Sequence, residues 1–225
     1  MPIRIDERLT AIANLIHGGA VADIGCDHGK LGYYLVSTDR ANKVIATDIS
    51  APSLRKASEL AFDNGVTEIM ETRLGDGLSP IKSEEVDTVV IAGLGGDVIA
   101  EILKSARLDA KKFKHFVLSP NTHPEKVRRE LKLMKHTIVT DLLTKCAGKY
   151  YTIISTELKV DYKDDLDDDE ILYGKFFRTD KVFLKRSLEE IATMKNILET
   201  HQSAELEGKI ARLEEVLKKV ENEDK

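Results

Sequence analysis

The chain has 225 residues, 42% hydrophobic and 32% charged, with a net charge of −5 and two cysteines. That length suits one large α/β domain or one domain with an appendage, and the acid excess argues against a uniformly basic nucleic-acid binder. No apolar run reaches the roughly 18 residues a membrane helix requires, Met1–Leu9 lacks an apolar leader segment, and Cys26 and Cys146 are too few for a disulfide framework or a metal array. The expectation is a cytoplasmic protein with no membrane or metal partner.

In chain order, helical patterns fall at Asp6–His17, Lys30–Ser37, Pro52–Asn64, Asp97–Lys104 and Pro124–Lys135. Strand-like runs fall at 20–25, 43–49, 69–75, 86–93, 114–119, 136–144 and 149–158. Thr122-His-Pro-Glu125 fits a capping box at the start of the last of these helices. Strands alternating with helices imply crossovers and a mostly parallel sheet. The short "KCAGK" link between the last two strands leaves no room for a crossover, so they form an antiparallel hairpin. The expected fold is α/β and Rossmann-like: five βα units closed by an edge hairpin, seven strands in all, with helices on both faces.

Past residue 160 the character changes. Asp161–Glu170 holds seven acids and one lysine. Leu184, Leu188, Ile191 and Leu198, then Leu206, Ile210, Leu213, Leu217 and Val220, follow heptad spacing on two helices broken near 199–205. The domains expected are 1–160 and a helical coiled-coil domain at 161–225, its helices paired antiparallel within the chain or between chains as a weak dimer.

The chemistry concentrates in "VADIGCDHGKLGYYL", Val21–Leu35. Gly25, Gly29 and Gly32 do not match the G-x-G-x-x-G dinucleotide spacing. The turn reads Asp23-x-Gly25-x-Asp27-x-Gly29, resembling the D-x-G-x-G-x-G turn of S-adenosylmethionine-dependent methyltransferases with Asp27 at the middle glycine. Two carboxylates repel a pyrophosphate but accept a sulfonium amino acid. Asp48 ends the second strand, with Ile49 after it, where a carboxylate takes both hydroxyls of an adenosine ribose. Asp76 and Gly77 follow the third strand, where the acid can accept an adenine amine, and Ala92 and Gly93 in "AGLGG" follow the fourth. Cys26, Asp27 and His28 are adjacent and cannot converge on one metal ion. Cys26 reads equally as a small buried residue, and His28 as a substrate-orienting group or a helix cap. "LSPN" after the fifth strand is either a turn or a device in which Asn121 or nearby carbonyls hold a target base.

Taken together, "RIDERLTAIANLI", "VADIGCDHGKLGYYL", "RLGDGL", "VIAGLGG" and "LSPN" resemble the TrmK-type bacterial tRNA adenine-N1 methyltransferases from Arg4 to about Glu157, and the helical tail suits that family too. The sequence departs from the family's usual residues at Cys26, Leu94 and Ser119, without loss of a charged group. The resemblance implies a class I methyltransferase fold, S-adenosylmethionine as cofactor, and methylation of adenine N1 at tRNA position 22. Cofactor contacts are expected from Arg8, Asp23, Gly25, Cys26, Gly29, Asp48, Ile49, Asp76, Gly77, Ala92 and Gly93; because the methylated base is cationic, Asp27 is the catalytic candidate, with His28 second, and Asn121 is expected to hold the base edge. Arg8 reads as a partner of the donor's carboxylate, of an RNA phosphate, or of a surface acid. Between Lys104 and Lys135 ten cations face three acids, a local +7. Lys126, Arg128, Arg129 and Lys132 in that segment, with Arg4 and the tail's Lys181, Lys185 and Arg186, are therefore the expected RNA track. Methylation of another substrate, and a non-catalytic cofactor sensor, remain the alternatives.

Overall fold

The computed structural model describes residues 3–159 and 164–223, and divides into two compact units, Met1–Leu166 and Asp167–Lys225. In the first unit the elements run α1 (Glu7–Ala13), β1 (Ala20–Ile24), α2 (Lys30–Ser37), β2 (Lys43–Asp48), α3 (Ala51–Asp63), β3 (Met70–Leu74), β4 (Thr88–Ala92), α4 (Gly96–Leu108), β5 (His115–Ser119), α5 (Pro124–Leu133), β6 (His136–Cys146) and β7 (Lys149–Leu158). The seven strands form one sheet in the order β3-β2-β1-β4-β5-β7-β6. The pairs from β3 to β5 are parallel, whereas β7 runs antiparallel to both β5 and β6.

The expected sheet is present, with one difference in its connections. Residues 75–87 cross from β3 to β4 without a helix, so there are four βα units rather than five. The inner strands are apolar on both faces because helices cover both. Val21, Val44, Ile45, Val89, Val90, Ile91, Phe116, Val117 and Leu118 are all buried. The β6–β7 turn is Ala147-Gly148, both residues at positive φ between the paired Cys146 and Lys149, the two-residue geometry that matches strand twist.

The capping box expected at α5 does not form. His123 is the N-cap at φ 50° and makes no side-chain cap bond. A residue before proline is kept out of the right-handed helical region by the proline ring, and here the chain turns left-handed instead. The Thr122 carbonyl is used elsewhere, accepting from the Gly96 N–H at 2.8 Å. A Cβ on Gly96 would stand 2.3 Å from that same oxygen, so only glycine permits this approach of the β4–α4 and β5–α5 loops.

The first unit extends past the change in composition at residue 160. Asp164 accepts the Ile138 N–H, and Lys132 binds the Asp165 carboxylate and the Leu166 carbonyl. The second unit holds α6 (Asp168–Tyr173), α7 (Lys181–Leu198) and α8 (Ala204–Glu223). Asp167 and Glu170 form a capping box on α6, and Tyr173, Phe177 and Phe183 cluster with ring centroids 5.4–5.7 Å apart. Helices α7 and α8 pack through Ile191, Met194, Ile210 and Leu213, with Lys195 bonded to Glu214 at 2.7 Å. On α8 the expected Leu206, Ile210, Leu213 and Leu217 face the pairing, and Val220 is buried. On α7 the stripe is displaced: Leu188 is 61% exposed, and Phe183, Ser187, Ile191 and Met194 form the buried face. Ser187, Ile191, Met194 and Leu198 step by four, three and four, so the heptad spacing persists on a row that leaves out Leu188.

Candidate active site

Strand order reverses at β1 and β4, whose neighbours diverge to either side. That reversal opens a crevice at the carboxyl ends of the strands, where open parallel sheets bind ligands. The crevice is a cleft of about 460 Å³ lined by Arg8, Ile24, Gly25, Asp27, Thr47, Asp48, Ile49, Gly75, Asp76, Gly77, Ala92, Gly93, Leu94, Val98 and Ile102. Residues from α1 and from the loops after β1, β2, β3 and β4 meet there.

The turn after β1 is anchored to β2: the Gly25 and Cys26 N–H groups both donate to the Thr47 carbonyl, at 2.8 and 2.9 Å. Asp27 sits at φ 50°, a left-handed conformation that aspartate tolerates better than most residues. This explains how it replaces a glycine. Its N–H donates to Asp48 Oδ2 at 3.1 Å, while Asp48 Oδ1 accepts from Ser50 N–H at 2.8 Å. Asp48 is thus held from both sides, with lone pairs left toward the cleft. The Asp27 side chain is 75% exposed.

A second set of contacts closes the other wall. Asn121 Nδ2 donates to the Gly93 carbonyl at 2.5 Å, and its N–H donates to the Leu94 carbonyl at 2.8 Å. Arg8 Nη1 donates to Asn121 Oδ1 at 3.3 Å, and the guanidinium lies 5.0 Å from the centroid of the Tyr151 ring. One acceptor site and one donor of the Asn121 amide are therefore already committed within the fold.

Of the residues singled out from sequence, Arg8, Gly25, Asp27, Asp48, Ile49, Asp76, Gly77, Ala92 and Gly93 line this one cleft, and Asn121 joins its rim. Four others do not line it. Asp23 is buried beneath the turn with Oδ2 lacking a partner. Cys26 packs into the hydrophobic core, where burial pushes its thiol pKa up and makes it a poor nucleophile. Gly29 is a packing residue: at φ 68° it caps α2, and a Cβ there would meet Met70 Cε at 2.7 Å and Ala57 Cβ at 2.8 Å. His28 turns away toward Lys56, 3.0 Å from Nε2 to Nζ, and stays 3.4 Å from Asp27. Ile24, Thr47, Gly75, Leu94, Val98 and Ile102 were not foreseen. Val98 and Ile102, four apart on α4, carried a readable signal as one helix face beginning just past "AGLGG".

Burial raises the Asp23 carboxyl pKa to about 7; the Gly32 N–H opposes this and the Asp48 charge adds to it. The folded state therefore holds a proton there that the unfolded chain has already released above its ordinary value near 3.8. Stability from this group is complete below that value, falls as pH rises, and is gone above about 7. Replacing Asp23 with asparagine is expected to flatten that loss in thermal-melting profiles across pH 4–8; an unchanged slope refutes it.

The RNA track needs correction. Arg128 and Asp141 side chains are 3% and 2% exposed and bidentate, at 2.8 and 2.9 Å. Arg128 is a buried structural arginine and presents no guanidinium to a phosphate. Lys132 is committed to Asp165 and Leu166, Lys126 is exposed but paired with Asp97, and Arg107 is bonded to Glu130 at 2.5 Å. Arg4 and Arg129 are exposed. In the tail Lys181 and Lys185 begin α7, and Arg186 lies 3.7 Å from Glu190.

The cleft's donor set fits a cationic adenosine compound. Carboxylates come from three successive loops, and the wall is glycine-rich where a Cβ at Gly25 or Gly93 would point toward Leu94 or Arg8. No group of three or more metal-ligating side chains occurs among the described residues. Residues 5–154 match the family model described as a methyltransferase domain. The chain is 30% identical to the tRNA (adenine(22)-N(1))-methyltransferase of Bacillus subtilis over 97% of its own length and 95% of the relative's. This chain belongs to the tRNA (adenine(22)-N(1))-methyltransferase family. Among solved structures of similar fold, M. capricolum TrmK in complex with S-adenosyl-homocysteine is 28% identical with a TM-score of 0.80, covering 97% of this chain and 96% of that one. A Streptococcus pneumoniae protein in complex with S-adenosyl-L-methionine is 27% identical with a TM-score of 0.84, covering 95% and 100%. The family membership extends through the helical tail as well as the catalytic unit.

Proposed function

We propose that this protein transfers a methyl group from S-adenosylmethionine to N1 of the adenine at tRNA position 22. The observation that carries this reading is the convergence of Asp27, Asp48 and Asp76 with the glycine-lined wall in one cleft. When bound, S-adenosylmethionine supplies an electrophilic methyl group on a positively charged sulfur. Asp48, already oriented by two backbone N–H groups, would bind the ribose hydroxyls. Asp76 would bind the adenine amine, and Ile49, Val98 and Ile102 would supply apolar contact to the adenine.

Ring N1 carries its own in-plane lone pair, so no enzyme nucleophile is required. Placement of the acceptor contributes roughly 7–11 kcal/mol, against about 3–5 kcal/mol from a general base. Asp27, exposed in the cleft, is the carboxylate that takes the exocyclic proton of the methylated base, with His28 beside it. Asn121 acts by positioning: it ties Arg8 to the Gly93 carbonyl and so sets the floor under the acceptor. A paired or stacked adenine must be turned out of the helix to reach this cleft. Arg4 and Arg129, with the tail cations, supply phosphate contacts. Because the apolar faces of α7 and α8 are used on each other within the chain, the working form in this reading is a monomer in the cytoplasm.

The test is incubation of the protein with labelled methyl donor and total tRNA, followed by digestion to nucleosides and primer extension. Labelled N1-methyladenine with a stop at position 22 is the expected result. Label in another base redirects the substrate assignment, and no label overturns the enzyme reading.

A further inference from the structure

We infer that Tyr151 is the platform for the target base: its ring face, held by Arg8 in the free protein, receives the adenine and stabilises the positive charge methylation places on it. This rests on adenine N1 being the acceptor, as proposed above.

Location is the first support. Continuing the β5–β7 register from Leu118 opposite Ile154 sets Tyr151 level with Asn121, at the carboxyl edge where the cleft opens. Arg8 bridges the two, lies over the Tyr151 ring at 5.0 Å, and itself lines the cleft. None of the residues lining the cleft is aromatic, and the Tyr151 ring meets its rim through Arg8. Tyr150 is excluded by strand alternation; its ring is engaged by Lys145, 4.7 Å from the centroid.

Charge is the second support. In the transfer the N1 lone pair forms the new N–C bond while the C–S electrons stay with sulfur, so one positive charge passes from sulfur to the base. An aromatic face attracts a cation more than a neutral base. The attraction therefore grows along the reaction, which is the kind of interaction that raises the rate rather than affinity alone. The ring already holds a guanidinium, so its face is geometrically able to hold a cation. Arg8 and a cationic base cannot share that face, and the exchange leaves Arg8 with Asn121 Oδ1.

The test places phenylalanine and its mono-, di- and trifluorinated forms at position 151 of the full chain. These rings are nearly equal in size but fall steadily in cation affinity. Phenylalanine is expected to keep the single-turnover rate within about threefold. The trifluorinated ring is expected to lose roughly 3- to 30-fold, with unchanged cofactor affinity by calorimetry. A flat series overturns the proposal. Without cofactor, the wild-type protein should bind a D-arm hairpin carrying N1-methyladenine more tightly than the adenine form, and Tyr151→Leu should abolish that preference. A preference retained in Tyr151→Leu also overturns it. Absence of N1-methyladenine from wild-type reactions would instead remove the parent reading, and this one with it.

Discussion

Asp48→Ala is expected to weaken S-adenosylmethionine binding by about 100-fold or more while leaving the fold intact. The carboxylate ends β2 at the mouth of the cleft, and it is not a free loop acid. Its two oxygens accept the N–H groups of Asp27 and Ser50, which fix the carboxylate plane before any ligand arrives. Hydrogen bonds to a charged group contribute about 1.5–3 kcal/mol each, so losing both ribose bonds corresponds to about 100-fold at the low end. Alanine also releases the Asp27 N–H, and with it the left-handed residue of the turn after β1. Asp48→Asn keeps one carbonyl acceptor and should fall between the two. Calorimetry with intact protein reads all three, and an Asp48→Ala protein that binds the donor as tightly as wild type would sink the cleft assignment.

The second large effect is on stability. Arg128→Ala leaves Asp141 buried without its guanidinium, and breaking a buried ion pair from one side costs about 3–5 kcal/mol. For a chain of this size that lowers the melting temperature by about 10 °C. Asp141→Ala should cost a similar amount. Arg128→Met combined with Asp141→Leu should recover most of the loss, because well-packed apolar side chains often replace a buried pair without penalty. Affinity for tRNA per folded molecule should be unchanged in Arg128→Ala. Arg129→Ala, one residue along the same helix but exposed, should show the opposite pattern. Its melting temperature stays put, while tRNA binding weakens and loses about one unit of salt dependence. Loss of tRNA affinity in Arg128→Ala without loss of stability would refute the structural role.

The neighbouring pair Arg128 and Arg129 marks the boundary of what the chain's pattern could tell. Charge density between Lys104 and Lys135 is a property of composition, and it is real. Which cations face water depends on the angle at which α5 meets β6, because Asp141 lies on that strand, thirteen residues away. Leu188 shows the same limit: its heptad place is visible in the sequence, but the packing of α8 against α7 chose the adjacent row. At His123 a capping motif was present in letters and absent in structure, since the following proline constrains the backbone before the side chains can act.

By itself the sequence determined the alternation of strands and helices, the hairpin at Ala147-Gly148, and the succession of acids after β1, β2 and β3. These follow from neighbours in the chain: side-chain period, turn residues and strand ends are local properties. Tertiary structure alone decided that Asp23, Cys26 and Gly29 support the turn from below while Asp27 and Asp48 face the cleft, and that Arg8, Asn121 and Tyr151 meet at its rim. Burial and long-range pairing depend on how distant elements stack, and no short window of residues contains that information.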